Sequence, residues 1–291
     1  MSPAPQVEIV CDGNKHIGYG HIRRALTLSS QLTNDGVDVR LSGISEEAKL
    51  MLPLCQPRSE AVKVIIFDAP SGIDSFLSSA KADGLTSVTL DWFGNEIPDV
   101  NIAVFPHGEV RAHREKYIGF EYILIRDEII SLPIYSSEDN YKKNVLVALG
   151  GGDILSQGHY IASYLSKLGY NVTLIEGHFS KKRKISSEYK VLVTPPEFPK
   201  ILQQSDWVVT NGGSCLFEAV FLGKAAYILP QTEAEMRIAS SFYENRAVLG
   251  IGINGIRSFN HHEIDQAHRN CLGLVDGNGA KRISEIVRGL L

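Results

Sequence analysis

The chain has 291 residues, 44% of them hydrophobic and 21% charged, with a formal net charge of −4. That balance excludes a disordered chain and leaves no global basic field to draw nucleic acid or an anionic membrane. Glycine is in surplus at 26 residues, about 9% against an average near ~7%, and the glycines are clumped rather than periodic, which excludes a collagen-like repeat.

At roughly 100–200 residues per domain, the length suits two domains. The start, Met1 to Gln6, has no basic region and no apolar run, so a secretory leader is not expected. No stretch approaches the ~18 apolar residues of a spanning helix. The four cysteines, Cys11, Cys55, Cys215 and Cys271, never form a Cys-x-x-Cys pair. A reducing, cytoplasmic setting without a disulfide framework or zinc ribbon is therefore expected.

In chain order, Val7–Cys11 reads as a strand, followed by a loop with Gly13, Gly18 and Gly20. Ile22, Ala25, Leu26, Ser29 and Leu32 then fall at helical spacing, and Gly36 stops that helix. Val37–Leu41 and Val62–Phe67 are further strands, the second ending at Asp68; Ser87–Trp92 and Ile102–Phe105 are short apolar runs. Around 131–144 neither period holds, and Pro133 lies in a polar stretch that reads as a linker.

A second series follows. The strand Asn144–Leu149 runs into Gly150-Gly151-Gly152-Asp153, and a helix over 154–168 closes at Gly169. Val172–Ile175 and Lys190–Val193 are strands. Trp207–Thr210 enters Asn211-Gly212-Gly213-Ser214, a helix over 214–222 stops at Gly223, and the strand Ala225–Leu229 ends at Pro230-Gln231. Asn260 with Glu263 resembles a capping box opening a helical last third. Strands alternating with helices imply parallel sheets, and the two series imply an α/β protein of two Rossmann-like domains around a cleft. The expected division is 1–132, a linker 133–143, and 144–291, with the last helix free to pack back on the first domain.

Three glycine segments can carry chemistry. The first runs from Asp12 through Gly18-Tyr19-Gly20-His21 to Arg24, after a strand and into a helix, where backbone amides favour an anion. Arg23 stands where a dinucleotide fingerprint has its third glycine, so NAD or FAD is not expected. At a helix start the dipole disfavours the imidazolium of His21, which suits a general base; a histidine merely satisfying backbone groups is the other reading. The second segment is Asn211–Glu218, with Ser214 as helix cap. Glu218 stands one turn in, either accepting from ribose hydroxyls or complementing the dipole. The third is Gly150–Asp153, glycines that clear the backbone for a ligand or for the facing domain. His261, Asp265 and His268 fall on one helical face, as metal ligands can, although a solvated surface is commoner. Lys181–Lys184 reads as a solvated tip.

On these residues the chain resembles the UDP-sugar hydrolases of pseudaminic acid synthesis and their spore-coat polysaccharide relatives. The stretch Ile17–Arg24 with Asp12 before it is similar to their opening signature, and Tyr122–Glu128 to their strand before the linker. Gly150–Asp153 is similar to their glycine turn, and Asn211–Glu218 with Gly223 and Pro230-Gln231 to their nucleotide site. The resemblance implies a glycosyltransferase-B-like fold, a small-molecule UDP-sugar substrate, and no cofactor or metal. It implies that His21 activates water and that Asp12 lies near the sugar. Gly18, Tyr19, Gly20, Arg24, Asp91, Gly151, Gly152, Asp153, Asn211, Gly213, Ser214, Glu218 and Gln231 would contact substrate or nucleotide. Two places depart from the family pattern: Asp68-Ala69-Pro70, where an aromatic residue is usual, and Asp91-Trp92, where paired acids are usual. Both are expected to face the sugar, so its identity stays open. A glycosyltransferase and a non-catalytic sugar-nucleotide binder remain as alternatives.

Overall fold

Val7–Cys11 and Val64–Asp68 are buried at every position, the pattern of parallel strands covered on both faces. The computed structural model describes residues 6–14, 16–53, 60–104, 115–135, 141–151, 153–177 and 186–291. The chain divides into two units, Met1–Ile125 with Gly277–Leu291 and Arg126–Asp276.

The first unit holds β1 (Val7–Cys11), β2 (Val39–Gly43), β3 (Val64–Asp68), β4 (Thr86–Leu90), β5 (Val100–Ala103) and β6 (Glu115–Ile118). They form one sheet in the order β2-β1-β3-β4-β5-β6, and every pairing is parallel. Its helices are α1 (Gly20–Asn34), α2 (Glu46–Met51) and α3 (Asp74–Ala82). The second unit opens with α4 (Asp127–Ile130) and continues with β7 (Asn144–Ala148), α5 (Gly158–Lys167), β8 (Asn171–Glu176) and β9 (Lys190–Val193). Then come α6 (Phe198–Gln204), β10 (Trp207–Thr210), α7 (Ser214–Phe221), β11 (Ala225–Ile228), α8 (Glu233–Glu244), β12 (Val248–Ile251) and α9 (His261–Cys271). This sheet runs β12-β11-β10-β7-β8-β9, again parallel throughout. The last helix, α10 (Gly279–Arg288), returns to the first unit.

Strand alternation sorts the first core into two layers. Val7, Ile9 and Cys11 pack with Ile22, Ala25, Leu28 and Leu32 of α1 and with Ala280, Ile283 and Val287 of α10. Val10, Ile65 and Phe67 pack with Leu77 and Ala80 of α3 and with Trp92 on the other face. In the second unit Val145, Val147, Leu149 and Trp207 join Ile161, Ala162 and Leu165 of α5 and Ile264 and Ala267 of α9.

Several expectations shift. On α1, Leu28 is buried and Leu26 exposed, because the buried stripe runs i, i+3, i+6 and i+10 from Ile22. The helix expected from 154 starts at Gly158; Asp153 and Ser156 take positive φ of 38° and 53°, a turn that leaves Ile154 and Leu155 exposed. The strand expected at 37–41 starts at Val39, and that at 62–67 spans Val64–Asp68. The division falls at Arg126, earlier than the expected linker: Arg126 pairs with Glu218 of the second unit, and the start of the supposed linker is fastened to that unit as well. The Tyr135 amide donates to the Leu222 carbonyl at 2.8 Å, and its hydroxyl to Asp265 at 3.1 Å. Residues 136–140 of that linker, Phe105, Cys55, Gly152 and the Lys181–Lys184 run lie outside the described residues. The capping box at Asn260 and Glu263 is present in full. Among the described residues no helix is long and apolar enough to cross a membrane.

Candidate functional site

In a doubly wound parallel sheet, ligands gather at the strand C-termini where the chain order reverses direction. In the first sheet that place is between β1 and β3, and in the second between β7 and β10.

In the first unit β1 delivers the chain into a tight reversal. The Asn14 side-chain oxygen accepts from the amides of His16 and Ile17, and its carbonyl accepts from Gly18 at 2.7 Å. Gly18 sits at φ +71°, where a side chain would be strained. Tyr19 caps α1 without a side-chain bond, and no acid stands in the helix's first turn, so nothing on that turn offsets the positive end of the dipole. The Tyr19 ring packs on the core, and burial raises its phenol pKa.

His21 is the second residue of α1. Its Nδ1 lies 2.6 Å from Oδ1 of Asp68, the fully buried last residue of β3. Burial pushes the Asp68 pKa upward, but Arg24 and His21 outweigh it, and the carboxyl is held below its usual range. An ionised carboxylate only accepts, so Nδ1 carries the proton and Nε2 of the neutral ring carries the lone pair. The His21 side chain is 21% exposed, enough to reach a water or a ligand.

Arg24, one turn on, donates from Nε to Asp68 Oδ2 at 3.0 Å, from Nη2 to Asp68 Oδ1, and from Nη1 to Asp91 Oδ2 at 2.5 Å. Burial alone would lower its pKa, yet the two carboxylates raise it. Asp91 follows β4 at φ +54° and accepts the Val104 amide on Oδ1 at 2.8 Å. Arg24 and Asp91, expected as ligand contacts, therefore hold each other and Asp68. Asp12 is also committed elsewhere. Its Oδ1 accepts from Gly13 N at 2.8 Å and from both the amide and hydroxyl of Ser45, the cap of α2.

In the second unit Gly150 and Asn211 face each other across the β7–β10 edge: a Cβ on Gly150 would lie 3.0 Å from Asn211 Nδ2. Asn211 Nδ2 donates to Glu235 Oε1 at 2.6 Å, and the Gln231 amide donates to Oε2 at 2.7 Å. Gln231 in turn donates to the Leu149 carbonyl at 2.9 Å and accepts from Leu155 N at 3.2 Å. Glu235 thus ties the loops after β10 and β11 together, and the Gln231 side chain adds the loop after β7; burial raises the Glu235 pKa against the opposing pull of its own donors. Asp153 accepts the amides of Gln157 and Gly158 at 2.9 and 2.8 Å, which makes it the N-terminal clamp of α5. Gly151 is close-packed, since a Cβ on Gly177 would strike its carbonyl at 2.2 Å.

Gly213, rather than Ser214, is the N-cap of α7. It makes no side-chain cap bond, and no acid stands in the first turn. The carboxylate of Glu218, expected at the ribose, is almost wholly buried and takes both Nε and Nη2 of Arg126, at 2.7 and 3.0 Å. The candidate metal ligands do not converge. His268 donates from Nε2 to the Asp206 carbonyl, Asp265 pairs with Tyr135 and Arg269, and His261 sits edge-on to Tyr141. Cys11, Cys215 and Cys271 stand in no disulfide, and burial pushes Cys271 up to about 12.

Sequence reasoning missed Asp68 as the partner of His21, Glu235 as the tie between loops, and Arg126 as the partner of Glu218. The available signal for Asp68 was an acid closing the otherwise apolar strand Val64–Phe67, since a buried strand-end carboxylate must find donors. Glu235 and Arg126 carry no comparable local signal.

Two doubly wound parallel units in tandem define the glycosyltransferase-B-like fold class. The structure aligns with MurG of Acinetobacter baumannii at a TM-score of 0.65, covering 98% of this chain and 100% of that one at 13% identity. In sequence the chain is 22% identical over 259 residues to the spore coat polysaccharide biosynthesis protein SpsG of Bacillus subtilis, covering 78% of this chain and 70% of that protein. It is 21% identical over 275 residues to the UDP-2,4-diacetamido-2,4,6-trideoxy-beta-L-altropyranose hydrolase of Campylobacter jejuni, covering 80% of this chain and 96% of that enzyme. No family model matches the chain.

Proposed function

We propose that the protein hydrolyses a UDP-linked amino or deoxy sugar to UDP and the free sugar, in surface-polysaccharide or nonulosonic acid biosynthesis. The observation that carries this reading is the His21–Asp68 pair at the switch point of the first sheet. A histidine with Nδ1–H fixed on a carboxylate offers Nε2 as a base. Water attacks the sugar–phosphate linkage, its proton passes to Nε2, and the linkage separates with its electron pair on UDP. In the second unit, Gly150-Gly151 and Asn211–Ser214 are assigned to UDP. Support comes from the α7 N-terminus with no acid in its first turn, and from the UDP-sugar in the name of the Campylobacter relative.

The test is a screen of UDP- and CMP-linked sugars for nucleotide release without an acceptor. Release that falls about 10²–10⁴-fold in His21→Asn is the expected result. Turnover that strictly requires an acceptor would establish a transferase instead, the activity carried by several proteins of this fold. Nucleotide binding with no turnover of any donor would reduce the protein to a binder.

A further inference from the structure

His21 is held by a chain of charges that extends two residues beyond its own partner. We propose that Arg24 and Asp91 are positioning residues for His21: Asp91 orients the guanidinium, the guanidinium holds both oxygens of Asp68, and Asp68 holds Nδ1 of the imidazole. The bonds run Asp91 Oδ2 to Arg24 Nη1, Arg24 Nε to Asp68 Oδ2, Arg24 Nη2 to Asp68 Oδ1, and His21 Nδ1 to Asp68 Oδ1. The use of this arrangement in catalysis rests on the reading of His21 as a base.

A buried carboxylate beside a histidine has two effects that conflict. It orients the ring, and it also attracts a second proton, which would fill the Nε2 lone pair. Arg24 resolves the conflict. Its Nη2 lies 3.2 Å from His21 Nδ1, so its fixed positive charge opposes formation of the imidazolium while its donors keep Asp68 in place. Asp91 holds the arginine in this role and is itself fixed, through Val104 N on Oδ1 and a left-handed backbone. Among the described residues, the other titratable or charged groups near this edge include Asp12 after β1, tied to Ser45, His16 in the exposed turn before α1, and Tyr19 and Arg23 at the start of α1, the latter exposed. The charges of Arg24 and Asp91 therefore act on His21 with opposite sign.

The test uses the full chain and needs no substrate. Long-range ¹H–¹⁵N spectra of the imidazoles, with the His21 signals identified by their loss in His21→Asn, report the tautomer and the titration midpoint. Arg24→Gln is expected to raise the His21 midpoint by about one pH unit. Asp91→Asn should lower it by a smaller amount, and Arg24→Lys should restore the midpoint towards the parent value. The acid limb of the pH profile for nucleotide release should move the same way. If Arg24→Gln fails to fold, Asp91→Asn and Arg24→Lys carry the same comparison. Midpoints that stay put, or move together, while activity falls would overturn the proposal and leave the two residues with a purely structural role. Midpoints that move apart in a protein that releases no UDP from any donor would support the positioning device and defeat the hydrolase reading instead.

Discussion

Two histidines of this chain occupy opposite environments. His21 is paired with a carboxylate and partly open. His268 is buried with Nδ1 unpartnered, and burial, aided by Lys224, pushes it down to about 4. The unfolded chain protonates His268 at its ordinary value near 6.5, the folded chain only near 4. Between those values the unfolded state binds more protons, so stability is lost as pH falls through that window. The loss amounts to about 3 kcal/mol, and it should appear as a lower urea midpoint at pH 4.5 than at pH 7. His268→Gln should be flatter over that range; equal slopes would contradict this account. The residue scale is also where sequence reading reached least far. His21 was legible because a strand, a glycine loop and a helix start all lie within its own neighbourhood. Asp68 and Asp91 lie 47 and 67 residues from their partners His21 and Arg24, and only the order of β1, β3 and β4 brings them there. No periodicity encodes that order.

Helix starts decide the next scale. α1 and α7 begin with no acid in the first turn, whereas α5 begins on Asp153. The resemblance placed Asp153 and Ser214 alike at the nucleotide, but the two should respond differently to removal. Asp153→Ala should cost about 1 kcal/mol through lost helix capping, lowering Tm by roughly 2–4 °C. Ser214→Ala should stay within about 0.5 kcal/mol, because Gly213 and not Ser214 occupies the cap position. Thermal melts of the two variants check this; a Ser214→Ala loss as large as that of Asp153→Ala would restore Ser214 as a cap. The elements themselves were largely legible, since buried parallel strands read as apolar runs and the glycines mark their ends. The exception at 154–157 has a local cause. Ile154 and Leu155 mimic the apolar face of a helix, yet they lie in a turn set by the positive φ of Asp153 and Ser156.

At the scale of the whole molecule, two serial domains were readable from the repeated strand–glycine–helix pattern, with the last helix free to pack back on the first; α10 belongs to the first unit. α10 packs on α1 and on the 3₁₀ turn Phe120–Tyr122. The Ser284 hydroxyl donates to Asp35 at 2.6 Å. Its first residue, Gly279, fits so closely that a Cβ would meet the Ile123 carbonyl at 2.1 Å. Gly279→Ala should therefore unseat the helix start and cost about 1–3 kcal/mol, read as earlier melting of the first unit by calorimetry. An unchanged melt would show that this contact relaxes without cost.

That returning helix reverses the order in which the two halves become complete during synthesis. The ribosome releases Met1–Ile125 first, but Ala280, Ile283 and Val287 belong to the same core as Val7 and Ile9. The second unit, Arg126–Asp276, has all its residues in hand before the first does. Nascent chains usually complete their N-terminal domain first; here the later half can close while the earlier half still lacks its α10 face and keeps that part of its apolar surface open to chaperones.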